Sequence, residues 1–470
     1  MKLTHLGHES WIIELNGKNY LLDPLLRETF GTCDELPFYV TPGRSIEHKL
    51  YESIDGVFLT TEYFQHFDLK SLELLPKRVN YFFPNTFSKE AQKALCRIAG
   101  CEKRLKALRI AEEFKSESMG LKFVPPSSDT VFWDSRVCSL MVSESNVLTD
   151  SQDWIYIQSD TAIPDSILEF IPKSWNSIPA GIIVVNHFQK WEEVGYSAND
   201  NFIGDQLQHW TPQSYFRFMS NVFPLHINPL NATKAYFLTG GQYDLVNVQR
   251  PRSTFSNLLL AKDVESMSLN VLVDAPEAGH FYSWNGIRWL REVDSEFVIK
   301  CDAPSGDVRK PFSITQQISA NREESDDTDL KITQWLAYLK QILLFSSCGH
   351  RLIFTDSYIN GALGPRRFCV QLVNGSQSCQ YVFDFSKSEF EYEEFTDQLA
   401  LIQYPSGFKI HTHDLVAAIN GKATIAEIAH AGIFQWYVGT PIDSVIGMLY
   451  TAFAEFMPNG IAAKKYDTYL

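Results

Sequence analysis

Three residues of this 470-residue chain combine metal-ligand chemistry with a position just after an apolar run: His66, Asp160 and His187. The run at 181–186, Gly-Ile-Ile-Val-Val-Asn, predicts a strand covered on both faces, and His187 follows it directly. His66 follows the short apolar segment 56–60 through a polar loop, and Asp160 follows the segment 154–158. In layered α/β proteins, functional side chains collect at the carboxyl ends of strands. Two imidazoles and one carboxylate form a donor set that suits non-haem iron with open positions, and zinc takes the same donors. The cofactor expectation is therefore either none or one divalent metal, iron or zinc. Each residue also has a plainer reading. His66 could hydrogen-bond in a polar pocket, and Asp160 could cap a loop through backbone N–H groups.

Further residues border the same expected cleft. His8 follows Gly7 at a turn, where a structural hydrogen-bonding role is the simpler account. Glu62, Tyr63 and Gln65 lie in the polar loop before His66, and Asp129 lies in the loop after another apolar run. Glu62 reads plainly as an exposed loop carboxylate and Tyr63 as a packing residue. Asp134 and Arg136 read as a structural ion pair. His280, on another strand-end loop, is a weaker ligand candidate. His411 and His413 would face one side of a strand but have no cysteine nearby. Thr239-Gly240-Gly241 lacks the spacing of a dinucleotide loop and reads as a turn.

The elements that must position these residues alternate between strands and helices, which predicts layered α/β architecture. Residues 10–15 and 20–22 read as a hairpin around Asn16-Gly17, a strong turn signal. Strands are expected at 56–60, 121–124, 137–143, 154–158, 181–186, 235–239 and 269–273. Helices are expected at 68–75, with Asp68 as N-cap, at 88–99, stopped by Gly100, and at 212–222. The stretch 316–329 is charged and free of aromatics, as an interdomain linker would be. It divides a domain at 1–315 from a C-terminal α+β domain at 330–470. In the latter a helix to about 345 precedes strands near 351–355, 368–373 and 379–385, then helices near 412–419, 424–430 and 442–456.

Composition narrows the function. With 45% hydrophobic and 21% charged residues, the chain can bury sizeable cores. Its net charge of -15 repels phosphate backbones, which argues against nucleic acid as a partner. The eight cysteines include no C-x-x-C pair, so neither a zinc ribbon nor a disulfide framework is expected. No run reaches the ~20 apolar residues that span a bilayer, and the N-terminus lacks the apolar core of a signal peptide. A cytoplasmic location with a small-molecule ligand or protein partner is the expectation.

Several separated segments resemble one superfamily. The opening His5-Leu6-Gly7-His8-Glu9-Ser10-Trp11, then a hairpin and Leu22-Asp23-Pro24, resembles the start of metallo-β-lactamase-fold proteins. The segment Thr61-Glu62-Tyr63-Phe64-Gln65-His66-Phe67-Asp68 resembles the loop that supplies their dinuclear ligands, normally His-x-His-x-Asp-His. On that alignment Thr61 and Tyr63 stand at two His positions and Gln65 at the Asp position, while His66 is kept. Ser127, Ser128 and Asp129 stand where relatives carry another His. Ser159-Asp160-Thr161 resembles the segment whose Asp bridges the two metals. The stretch from Gly407 to His411, then Leu415 to Gly421, resembles bacterial relatives of CMP-N-acetylneuraminate hydroxylase, without a Rieske motif. The resemblance implies an αββα metallo-β-lactamase-like sandwich in an α/β chain, plus the C-terminal α+β domain. It leaves two functions open. One is a ligand-binding pseudoenzyme with a decayed dinuclear site. The other is a single-metal enzyme that hydroxylates or hydrolyses a small molecule, with His66, Asp160 and His187 as ligands.

Overall fold

The computed structural model describes residues 1–33, 36–127, 137–144, 152–161, 163–185, 230, 233–240, 243–245, 271–292, 294–302 and 328–345. Nearer the C-terminus it describes 358–359, 362–363, 367–374, 377–386, 392–395, 404, 406–420, 422–424, 427–428 and 435–438. His187, Asp129, Asp134, Arg136 and the expected elements at 212–222, 351–355 and 442–456 lie outside the described residues, as does nearly all of the 316–329 linker.

Two large sheets make up the N-terminal part. The first contains β1 (Lys2–Gly7), β2 (Ser10–Leu15), β3 (Lys18–Leu22), β7 (Ile54–Phe58), β8 (Asn80–Pro84), β9 (Leu105–Leu108), β18 (Phe281–Trp284) and β19 (Trp289–Arg291). Its strand order is β19-β18-β1-β2-β3-β7-β8-β9. The second contains β10 (Glu113–Lys115), β11 (Met119–Val124), β12 (Ser139–Glu144), β13 (Trp154–Ile157), β14 (Gly181–Val185), β15 (Ala235–Thr239) and β17 (Leu272–Asp274), in the order β10-β11-β12-β13-β14-β15-β17. Small sheets flank these: β4 (Thr29–Phe30), β5 (Phe38–Val40) and β16 (Tyr243–Leu245) form one, and β6 (Arg44–Ile46) pairs with β20 (Val298–Lys300).

Alternation along the strands produces the layers, because successive side chains point to opposite faces. Phe58 and Phe82 face inward with Trp11, Ile13 and Leu22, where they meet Leu140, Val142, Ile155, Ile157, Ile183 and Phe237 of the second sheet in one core cluster. Their neighbours Val57, Tyr81 and Phe83 face outward and are covered by α1 (Lys49–Ser53), α2 (Leu69–Leu72) and α3 (Lys89–Ala99) through Leu50, Leu72, Leu95 and Ile98. On the far side, Tyr156, Ile182, Val184, Tyr236 and Leu238 pack under α4 (Ile167–Phe170) and Trp175. The result is helix, sheet, sheet, helix. Full burial of each large apolar side chain contributes roughly 1.5–3 kcal/mol, so these inner faces dominate the stability.

Most expected elements fall where the patterning put them. Asn16 and Gly17 both have positive φ, 49° and 72°, as the hairpin turn requires. Asp68 caps α2 by accepting from the Ser71 N–H, and Gly100, at φ 67°, ends α3 in the left-handed region. α2 stops at Leu72, short of the expected 75. The strand β8 was not expected. Its aromatic run ends in Pro84, and a proline weakens a strand reading, but here it sits at the last ladder position, opposite Leu108.

The C-terminal part is α+β. Strands β23 (Arg367–Asn374), β24 (Gln377–Asp384), β25 (Tyr392–Phe395), β26 (Ser406–His411) and β27 (Gln435–Val438) form a sheet ordered β25-β24-β23-β26-β27. A short hairpin, β21 (Tyr358–Ile359) with β22 (Ala362–Leu363), precedes it. Helix α5 (Thr328–Phe345) buries Ile332, Trp335, Leu336 and Leu339, with Trp335 edge-on to Phe408 at 6.2 Å. Helix α6 (Thr412–Ile419) begins immediately after β26, so His411 ends a strand while His413 sits in a helix. The shared strand face that their spacing implied does not form. Among the described residues no helix is long and apolar enough to cross a membrane.

Candidate metal centre

β3 runs parallel to β7, and β13, β14 and β15 run parallel to one another. Their carboxyl ends, together with that of β1, meet at one edge of the stacked sheets. The Gly240 N–H at the end of β15 points to the His8 carbonyl beyond β1, at 3.5 Å. Four segments leave the strands here: Gly7-His8-Glu9, Asp23, residues 59–66, and Ser159-Asp160.

His66 is fully buried at their centre. Its Nδ1 lies 3.0 Å from Asp23 Oδ2, and its Nε2 lies 3.2 Å from Asp160 Oδ2 and 3.3 Å from Glu9 Oε2. The His8 Nε2 is 3.6 Å from Glu9 Oε1, and the two imidazole rings are 6.0 Å apart. Ligating atoms of His8, Glu9 and His66 all lie within 4.8 Å of one another. The Gln65 amide donates to Asp160 Oδ2 at 3.0 Å, so Gln65 holds the carboxylate that faces His66.

Local backbone geometry aims these groups. His8, Asp23 and Ser159 have φ of 54°, 40° and 54°, in the left-handed region that costs a non-glycine residue energy. Gly7 precedes them at φ 102°, and a side chain there would strike Val40 at 2.5 Å. The strain at Asp23 is offset by its bonds. Its Oδ1 accepts the Thr60 N–H at 2.8 Å, its Oδ2 accepts the Thr60 hydroxyl, and its carbonyl accepts the Ser10 hydroxyl at 2.7 Å. Thr60 Oγ1 also meets Ser159 Oγ at 2.7 Å, tying the two sheets together beside the site. His66 is placed by a tight turn in which its N–H donates to the Tyr63 carbonyl at 2.8 Å.

The electrostatics follow from this crowding. Burial opposes a charge on His66, but Glu9 and Asp160 beside Nε2, with the hydrogen bonds to Asp160 and Asp23, outweigh it and push its pKa up to about 10. Without a metal, the ring is thus an imidazolium donating from both nitrogens. With a metal at Nε2, Asp23 remains as the acceptor for Nδ1–H, the arrangement that orients metal-bound histidines.

Two of the donor separations around His66 suit a single ion. Ligand atoms bonded at ~2.0–2.2 Å and separated by roughly a right or tetrahedral angle stand about 3.0–3.5 Å apart. The His66–Asp160 and His66–Glu9 separations fall in that range, and His8–Glu9 lies just beyond it.

Of the residues singled out in the sequence, His66, Asp160, His8 and Gln65 are brought together. Thr61 is buried nearby, and Tyr63 packs against Val137. Glu62 is buried, not exposed as its plain reading had it, and its carboxylate binds the N–H and hydroxyl of Ser88, the N-cap of α3. His280 accepts from the Glu277 N–H at 3.1 Å and meets Arg291 at 2.7 Å, and its carbonyl accepts the His5 N–H at 2.9 Å. The sequence reading missed Glu9 and Asp23 as site residues. Their signals were present, since Glu9 follows a Gly-His turn and Asp23 ends a strand before Pro24.

No protein-family model matches the chain, and no curated protein matches it. Similar solved structures include isothiocyanate hydrolase from Delia radicum gut bacteria, with 16% identity, TM-score 0.39, 60% of this chain and 99% of that one covered. Igni18, a metallo hydrolase from the archaeon Ignicoccus hospitalis, has 16% identity and TM-score 0.37, with coverage of 60% and 99%. CmlA, a diiron β-hydroxylase from Streptomyces venezuelae, has 14% identity and TM-score 0.38, with coverage of 62% and 54%. The helix-sheet-sheet-helix order described above is the layer order expected from the resemblance of the opening motifs.

Proposed function

We propose that this chain binds a single divalent metal through His8, Glu9, His66 and Asp160 and uses it in chemistry on a small molecule. The convergence of two imidazoles and two carboxylates on one buried point carries this reading. It keeps His66 and Asp160 as ligands, adds Glu9 and His8, and leaves His187 as a further donor to be tested. A dinuclear site of the superfamily type is disfavoured because Thr61, Tyr63 and Gln65 stand at three of its ligand positions.

When bound, such an ion supplies Lewis acidity and an activated water. Two imidazoles with a carboxylate also suit ferrous iron, so iron and zinc are the metals to test. The chain's own residues do the rest. Asp23 holds the proton on His66 Nδ1 and so keeps Nε2 directed at the ion position. Gln65 turns Asp160 toward that position. The buried walls, with Thr61 and Tyr63 where relatives have ligands, exclude bulk water.

The competing reading is a metal-free ligand-binding pseudoenzyme. It is favoured by one observation: the His66 ring already bridges Asp23, at Nδ1, to Asp160 and Glu9, at Nε2. Elemental analysis of protein purified without chelator or nickel resin separates the two. The proposal expects about one equivalent of iron or zinc per chain, lost in His66→Ala. No metal at all would leave the pseudoenzyme, and two equivalents would restore a dinuclear site.

A further inference from the structure

Among the described residues, one carboxylate of the C-terminal part reaches back to the N-terminal part. Glu427 is fully buried, and its Oε2 accepts the Thr424 N–H at 2.8 Å and the Thr424 hydroxyl at 2.9 Å. Thr424 Oγ1 accepts the Glu427 N–H in return, at 3.1 Å, which makes a reciprocal helix-start box. Such a box is normally local. Here the other oxygen, Oε1, accepts the N–H groups of Thr32 and Cys33, the latter at 3.2 Å. Gly31, at φ 114°, makes room for it, since a Cβ there would stand 2.9 Å from Oε1.

Residues 31–33 begin the turn of the β4–β5 hairpin, and that hairpin touches two of the segments that carry metal-site residues. Phe30 of β4 and Phe38 of β5 pack on Phe64 at 6.0 and 5.1 Å, and Phe64 sits inside the Tyr63–His66 turn. Val40 of β5 fills the space beside Gly7, immediately before His8 and Glu9. The hairpin is two strands of two and three residues, too short to hold its shape alone.

We propose that Glu427 is a positioning residue for the metal centre. It fixes the hairpin turn, and the hairpin fixes the His66 turn through Phe64 and the His8–Glu9 turn through Val40. The inference rests on the single-metal reading for its binding consequence but not for its structural one. The C-terminal part thereby acts as a clamp on a site to which its described residues contribute no ligand.

The test uses the full chain, with Glu427→Ala and Glu427→Gln beside wild type. Metal-free protein is titrated with cobalt(II), and hydrogen exchange is followed across residues 5–10, 29–40 and 60–67, with β12 as an internal reference. Glu427→Ala is expected to weaken cobalt binding roughly tenfold with unchanged stoichiometry, as loss of an outer positioning contact does. Exchange should speed up in the three named segments and stay unchanged in β12. Glu427→Gln keeps an acceptor oxygen on one side only, its NH2 facing N–H donors on the other, and should fall between wild type and Glu427→Ala in both. Wild-type affinity and exchange in Glu427→Ala would overturn the proposal. So would faster exchange throughout, β12 included, which marks general destabilisation. If Glu427→Ala does not fold, Glu427→Gln against Gly31→Ala, which displaces the carboxylate, reads the same two quantities. If wild type binds no cobalt, the metal reading fails, and local exchange alone decides whether Glu427 positions the two turns.

Discussion

Replacing Arg44 with Met should destabilise the protein by about 2–4 kcal/mol and weaken metal binding, although Arg44 touches no proposed ligand. Its guanidinium is 2% exposed and donates to three carbonyls: Leu6 at 2.9 Å, Arg27 at 2.7 Å and Leu25. Those carbonyls belong to the end of β1, just before His8, and to the segment after Asp23. Met retains much of the apolar stem but leaves all three acceptors buried and unmet, at ~1–3 kcal/mol each. Part of that loss is offset. Burial lowers the Arg44 pKa from 12.5 to about 10. That corresponds to about 3 kcal/mol of desolvation cost, which the variant no longer bears. The difference, taken near the middle of the range, is the predicted loss, a large fraction of the ~5–15 kcal/mol typical of a folded domain. Urea unfolding followed by tryptophan fluorescence measures it, with cobalt titration of the same sample. A loss below about 1 kcal/mol with unchanged cobalt affinity would refute the argument that this cation ties the two segments together.

Asp23→Asn should lower metal affinity about 10–100-fold while leaving the fold intact, because the amide is a poorer acceptor for the His66 Nδ1–H; titration against a competing chelator measures this. The stability of metal-free protein should fall on both sides of neutrality. Burial pushes the His5 pKa down to about 4, so its contribution is complete above pH 6.5 and is lost as pH falls toward 4, by about 3 kcal/mol. His66 acts in the opposite sense: with its pKa raised to about 10, its contribution is complete below pH 6.5 and is lost as pH rises through 10. Thermal unfolding across pH 4–10 tests both signs, and added metal should flatten the alkaline side. Limited proteolysis should cut first within 316–329, and the nicked fragments should still co-elute because Glu427 holds the 31–33 turn; first cuts inside either part would count against the division at that linker.

Two residues of the proposed site were legible in the sequence because they follow apolar runs. His66 and Asp160 stand beyond β7 and β13, and strand ends converge whatever their separation along the chain. Glu9 and Asp23 were harder to see. Each depends on a left-handed backbone at His8 or at Asp23 itself, which residue types outside glycine rarely signal. The hairpin at Asn16-Gly17 and the cap at Asp68 were legible because local chemistry determines them. Strand β8 was not, because its pairing with β7 and β9 overrides the warning of a terminal proline. The role of Glu427 had no local trace at all: Thr-x-x-Glu announces a helix start, and its second duty arises only from a contact nearly four hundred residues away.

The central claim is one ion held by His8, Glu9, His66 and Asp160. Anomalous difference maps, collected at the absorption edge of the metal that elemental analysis identifies, locate such an ion directly in crystals of the full chain. The account predicts one peak, about 2.0–2.3 Å from the His66 Nε2 and within bonding distance of Glu9 and Asp160 oxygens. Two peaks at this edge of the sheets, a single peak bound elsewhere, or an imidazolium still bridging Asp23 and Asp160 in metal-saturated crystals would contradict it.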